Sequence, residues 1–233
     1  MEPKTIGIVG ITAEGASLCY RTIVSESAQF LPGGAHPPIA LYTGSFAALN
    51  ARLKERDWPG VGALIGDSIT RLVASGAELV IMPANATHYA VEYFLPQCPV
   101  PFLSIVDVSA DACVQGGYSR VAVLGIGLTM TDGLYEQPLR SRGIVPMTPT
   151  PDEQATLNQI IYEEIIPARV TPSAAPRIVE ILTALRERGA EAAILACTEL
   201  PLVITEENTP LPFIDTTRLL ARTALAHAIT TPS

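Results

Sequence analysis

Charge is scarce in this chain. Asp, Glu, Lys and Arg make up 16% of it, against about 25% in typical soluble domains. Basic residues are outnumbered, 15 to 23, which leaves a net charge of −8. Without a basic stripe, the sequence is a poor match for nucleic acid or an anionic membrane surface. No apolar run reaches the roughly 20 residues that a membrane-spanning helix needs. The four cysteines, Cys19, Cys98, Cys113 and Cys197, are scattered, with no Cys-x-x-Cys pair and no His/Cys cluster. That pattern argues against a zinc or other metal site. Gly7, Gly10 and Gly15 are not spaced as a dinucleotide loop, and no P-loop lysine follows, so nucleotide binding is discounted. Glu2, Pro3 and Lys4 precede a short strand-like run rather than a signal peptide. Free thiols without an export signal point to a reducing cytoplasm.

What the chain does have is apolar patterning. Apolar residues make up 48% of 233, enough for a large core in two modest lobes. Short β-branched runs at 5–9, 39–42, 79–82, 102–105, 121–124 and 192–195 are strand candidates. Amphipathic stretches at 61–75, 108–116, 156–166 and 177–188 are helix candidates. Continuous apolar strands suit a parallel sheet covered by helices on both faces. The expected class is α/β.

An internal echo refines this. Gly76-Ala-Glu-Leu-Val-Ile-Met-Pro-Ala84 and Gly189-Ala-Glu-Ala-Ala-Ile-Leu-Ala-Cys197 match without a gap at an offset of 113 residues. Each follows an amphipathic stretch, with Ile69-Thr-Arg-Leu72 in one and Leu182-Thr-Ala-Leu185 in the other. Ile6-Gly-Ile-Val-Gly10 pairs more weakly with Val121-Ala-Val-Leu-Gly125. Helix–Gly–strand units resemble one another in every α/β protein, which is the competing explanation. Taken as a repeat, the echo predicts two similar Rossmann-like lobes, 1–104 plus 209–233 and 105–208. Ala84 and Cys197 then sit at equivalent strand ends, where open α/β sheets bind ligands, on opposite walls of one cleft.

The residues at these ends carry a resemblance. Pro83-Ala84-Asn85-Ala86-Thr87-His88 resembles the Pro-Cys-Asn-Thr-Ala-His segment of aspartate racemases, with alanine in place of cysteine. Ala196-Cys197-Thr198-Glu199-Leu200-Pro201-Leu202 resembles their Gly-Cys-Thr-Glu-Leu-Pro-Leu segment. Leu124-Gly125-Ile126-Gly127-Leu128-Thr129-Met130 is similar to their Leu-Gly-Thr-x-x-Thr-Met turn. The chain thus resembles the aspartate/glutamate racemase family over nearly its whole length. The resemblance implies a two-lobed, often dimeric enzyme that inverts an amino-acid α-carbon without pyridoxal phosphate or any other cofactor.

Such inversion needs a base on one face of the α-carbon and an acid on the other, a task for two thiols. By resemblance Cys197 is one of them, and Ala84 marks the place of the other. The intact Asn85, Thr87 and Cys197 set favours Ala84 as a substituted cysteine in an inactivated form, and natural loss is the alternative. Asn85, Ala86, Thr87, Thr129, Thr198 and Glu199 are the candidates for holding substrate. Thr12 in the opening loop, Thr43 and Thr131 join them as polar residues at element ends. Arg169 is the candidate partner for a substrate side-chain carboxylate. Glu199 has two further readings: it tunes the thiol, or it is a first-turn carboxylate favoured by a helix dipole. The expected function is an aspartate and/or glutamate racemase acting on a small amino acid as a cytoplasmic homodimer. Two alternatives stay open, a single-thiol enzyme such as a malonate decarboxylase and a non-catalytic amino-acid binder.

Overall fold

In a computed structural model of the protein, residues 2–167 and 169–230 are described. The chain divides into two compact units, Met1–Val108 with Thr217–Ser233, and Ser109–Thr216.

The first unit holds a four-stranded parallel sheet of β1 (Ile6–Gly10), β2 (Ile39–Thr43), β3 (Leu79–Ile81) and β4 (Phe102–Leu103), in the order β2-β1-β3-β4. The second holds β5 (Arg120–Leu124), β6 (Val145–Met147), β7 (Ala192–Leu195) and β8 (Phe213–Asp215), in the order β6-β5-β7-β8, also parallel. The two orders are the same, and so is the register. Ile6 stands opposite Leu79, and Val121 stands opposite Ala192.

The Gly-Ala-Glu triplets explain why the echo exists. The helices Trp58–Ala74 and Ala174–Glu187 each run down to one of them. Gly76 and Gly189 then turn the chain at φ 93° and 98°, a region that favours glycine. Ala77 N–H bonds Leu72 O and Ala190 N–H bonds Leu185 O, both at 3.0 Å. Finally the glutamates fasten the neighbouring strand. Glu78 Oε2 accepts from Thr5 N–H at 2.8 Å, and Glu191 Oε2 from Ser119 and Arg120 N–H at 2.6 and 3.2 Å. Three residues thus stop a helix, reverse the chain and align a strand in each unit.

Several boundaries differ from expectation for local reasons. The strand candidate 102–105 ends at Leu103, because Ser104 accepts from Asp107 N–H and starts the helix Ile105–Gln115. The candidate helix 156–166 begins earlier, at Pro151, on a capping box between Thr150 and Glu153. It then widens into a π-helical turn, Ile161–Ile165. Residues 209–216, expected in the first lobe, carry β8, whose pairing with β7 holds them in the second unit. Residues 105–108 group with the first unit instead. β6 and β8 escaped the strand pattern because each is three residues long, and Pro146 interrupts β6 at a sheet edge.

Each unit has its own core. Val9, Val61, Ile65, Val80, Met82 and Phe94 pack together in the first, with Ala84 against them. Leu124, Leu157, Ile161, Ile178, Leu195 and Cys197 pack together in the second.

Candidate active site

In the first unit the candidate residues follow the carboxyl ends of neighbouring strands. Thr12 comes after β1 and caps the helix Ala13–Ser27, its Oγ1 accepting from Gly15 N–H at 3.2 Å. Thr43 closes β2 opposite Gly10. A Cβ on Gly10 would lie 2.4 Å from Thr43 Oγ1, so glycine is what lets the two strands end side by side there. After β3 come Ala84, Asn85 and the 3-10 turn Ala86–Ala90. Asn85 and Thr87 are buried.

The carbonyl of Ala84 is held from two sides. Thr87 Oγ1 lies 3.2 Å from it and His88 Nδ1 lies 2.8 Å from it. Across the ring, His88 Nε2 accepts from Ile105 N–H at 3.3 Å. One nitrogen therefore donates and the other accepts, which only the neutral imidazole does. Burial pushes the His88 pKa down to about 4, against a weaker upward pull from its bond to Ala84. His88 thus clamps the backbone of position 84.

In the second unit Gly125 follows β5. A Cβ there would lie 2.9 Å from Ala196 O and 3.4 Å from Thr129 Cβ. Glycine thus brings the turn bearing Thr129 against the residue before Cys197. Gly127 N–H donates to Asn158 Oδ1 at 2.8 Å, pinning the same turn. Thr129 Oγ1 is buried without a hydrogen-bond partner among the described residues. Thr131 lies further out, exposed, with its hydroxyl 3.3 Å from Gln154 Oε1.

Cys197 follows β7 and is 7% exposed. Its Sγ–H donates to Glu199 Oε2 at 3.2 Å, and Thr198 Oγ1–H donates to the same oxygen at 2.7 Å. Burial first, then the charge of Glu199, hold the thiol well above its usual range. Backbone N–H groups of Glu199 and Leu200 pull the other way by stabilising a thiolate. Cys113 and Cys98 are set differently. Burial alone pushes Cys113 up to about 12, and Cys98 Sγ contacts Val100 O at 3.1 Å.

Two neighbours of this site carried no recognisable signal in the sequence. Asn158 sits in an ordinary-looking helix, and Tyr162 owes its place to the π turn. A π turn inserts a residue into the helical register, so α-helical periodicity does not locate Tyr162. Tyr162 is 55% exposed, and partial desolvation, with Cys197 adding to it, raises its phenol. Arg169 follows that turn, exposed, with its N–H on Glu164 O at 2.7 Å. Among the described residues no group of three His, Cys, Asp or Glu side chains is placed to hold a metal ion. No described helix is long and apolar enough to cross a membrane.

The chain is similar to several known proteins. The model of the Asp/Glu/Hydantoin racemase family matches residues 8–224. An aspartate racemase homologue from Pyrococcus horikoshii superposes with a TM-score of 0.85 at 28% identity, over 97% of this chain and 99% of that one. The aspartate racemase of Picrophilus torridus shares the fold, with a TM-score of 0.78 at 23% identity over 97% and 94% of the two chains. The broad specificity amino-acid racemase RacX of Bacillus subtilis is 24% identical over 160 residues, 69% of each chain.

Proposed function

The chain belongs to the Asp/Glu/Hydantoin racemase family, and from that membership we propose that it moves the α-proton of an amino acid through Cys197, without pyridoxal phosphate. The observation that carries the reading is the setting of Cys197. It is a buried thiol at a strand end whose hydrogen bond is accepted by the carboxylate of Glu199. A thiol so placed has an acceptor for its proton within reach. The amide and hydroxyl groups of Asn85, Thr87, Thr129 and Thr198 are able to donate to a carboxylate or accept from an ammonium, and the Thr129 hydroxyl, without a partner among the described residues, is the first to test. Aspartate and glutamate are the first substrates to test, and the name of the Bacillus relative adds other amino acids to the panel.

Position 84 limits the chemistry. Its methyl group moves no proton, so this chain has one thiol where the two-base reaction asks for two. The reading therefore makes it an inactivated form of a racemase. Its natural setting, by family resemblance, is a cytoplasmic homodimer. Restoring the thiol tests this: Ala84→Cys should create or greatly raise racemisation of aspartate or glutamate, followed by chiral chromatography. No racemisation of any amino acid by that variant would remove the proposal. Binding of aspartate by calorimetry, with that variant still inactive, would leave a non-catalytic binder. The single thiol also favours a second reading, decarboxylation of a malonate, in which one proton is delivered to one face. Turnover of malonates by the unaltered chain would establish it.

A further inference from the structure

A recess in the first unit adjoins the candidate site. It begins at Gly10, the last residue of β1, and at Gly44, the first after β2, and it is bounded by the helices Phe46–Glu55 and Trp58–Ala74. Its apolar walls are Ile11, Tyr42, Phe46, Leu49, Leu64 and Ile65, and its volume is about 490 Å³ with the open mouth included. The polar side chains along it already have partners. Ser45 Oγ accepts from Ala48 N–H at 3.3 Å, and Ser68 Oγ–H donates to Leu64 O at 2.9 Å. Asp67 Oδ2 accepts from Arg71 Nε–H at 2.9 Å. Among the described residues no lysine or arginine lines the recess. Arg71 stands next to it, over the Tyr42 ring at 5.3 Å, with Asp67 offsetting its charge.

The place of the recess gives it an occupant. β1 lies between β2 and β3, and position 84 follows β3. Neighbouring strands are about 4.8 Å apart, so β2 ends roughly 10 Å across the sheet from the end of β3. Ala84 packs against the same core as Ile11, Leu49 and Ile65. An amino acid bound at position 84 crosses that distance only with its side chain.

We propose that this recess receives the side chain of the substrate, and that the preferred substrates are amino acids with uncharged aliphatic side chains, leucine and norvaline among them, over aspartate and glutamate. This deepens the racemase reading and rests on it. A side-chain carboxylate entering the recess loses water, meets no cation on its walls and stands beside Asp67, which is costly. Methylene groups leave water there for Ile11, Leu49 and Ile65, which is favourable. The second unit adds to the argument, because the charged group on Cys197 is itself a carboxylate, Glu199. Phe46, 49% exposed, and Leu49, 5% exposed, are the specificity-determining residues at the outer and inner parts of the recess.

The test is calorimetry on the unaltered chain with alanine, 2-aminobutyrate, norvaline and leucine, beside aspartate and glutamate. Affinity should rise about fourfold for each methylene added from alanine to norvaline. Leucine should bind about tenfold or more tighter than aspartate. Phe46→Arg, at an exposed position, supplies the missing cation and should move the leucine-to-glutamate affinity ratio toward glutamate by about tenfold or more. Asp67→Asn should move it the same way by a smaller factor, and decides alone if Phe46→Arg does not fold. Tighter binding of aspartate or glutamate than of leucine, or a ratio unmoved in the variants, would overturn the subsite and leave proton transfer at Cys197 standing. Binding of the aliphatic series as expected, with no exchange of any α-proton, would support the subsite and count against the racemase reading. Binding of no amino acid at all would overturn both.

Discussion

The carboxylate of Glu191 lies 2.6 Å from the backbone N–H of Ser119, at the entry to β5, just as Glu78 meets Thr5 at the entry to β1. The pairing joins residues 72 positions apart and sets where β5 starts against β7. Glu191→Ala should therefore destabilise the protein by about 1 kcal/mol, the net worth of a typical hydrogen bond. A urea titration should show a lower midpoint with the slope unchanged. An unaltered midpoint would mean that the strand aligns without the carboxylate.

Much of this fold was legible because it is written twice. Gly76-Ala77-Glu78 and Gly189-Ala190-Glu191 do the same three jobs, and repetition marks them out from one sequence. The strand ends were legible for a related reason, since Cys197 and position 84 fall in register once the triplets are aligned. What stayed hidden were features that depend on short range or shifted phase. β6 and β8 are too short for a period of two to be seen. Tyr162 lies in a π turn, which no α-helical period anticipates. The role of His88 was undetermined for a third reason, because its partner Ile105 is 17 residues away and offers only a backbone N–H.

His88 gives the protein a pH signature. Its pKa is about 4 when folded and about 6.5 when unfolded. Between those values the unfolded chain binds the proton more readily, so stability rises with pH across that window. The contribution is complete above about pH 6.5 and is lost as the pH falls toward 4. The difference corresponds to about 3 kcal/mol. Denaturation at pH 7 and pH 4.5 should show this fall in wild type and a smaller one in His88→Gln. Equal pH dependence in the two would show that His88 does not remain neutral in the fold.

Thr129 should trade stability against binding. Its hydroxyl is buried and unpartnered among the described residues, a state that costs about 1–3 kcal/mol. Thr129→Val keeps the shape and removes the orphan, so the melting temperature should rise. The same change should weaken amino-acid binding in calorimetry if the hydroxyl is kept for substrate. A variant that is no more stable and binds as well as wild type would show that Thr129 is ordinary core.

The central claim is that Cys197 alone moves the α-proton in this chain. The direct measurement is deuterium incorporation from heavy water into separate samples of the L- and D-forms of aspartate and glutamate, read by mass spectrometry. A single thiol meets one face of the α-carbon, so exchange is predicted in one enantiomer of a given amino acid and should vanish in Cys197→Ser. Equal exchange in both enantiomers, or exchange that survives Cys197→Ser, would contradict the account.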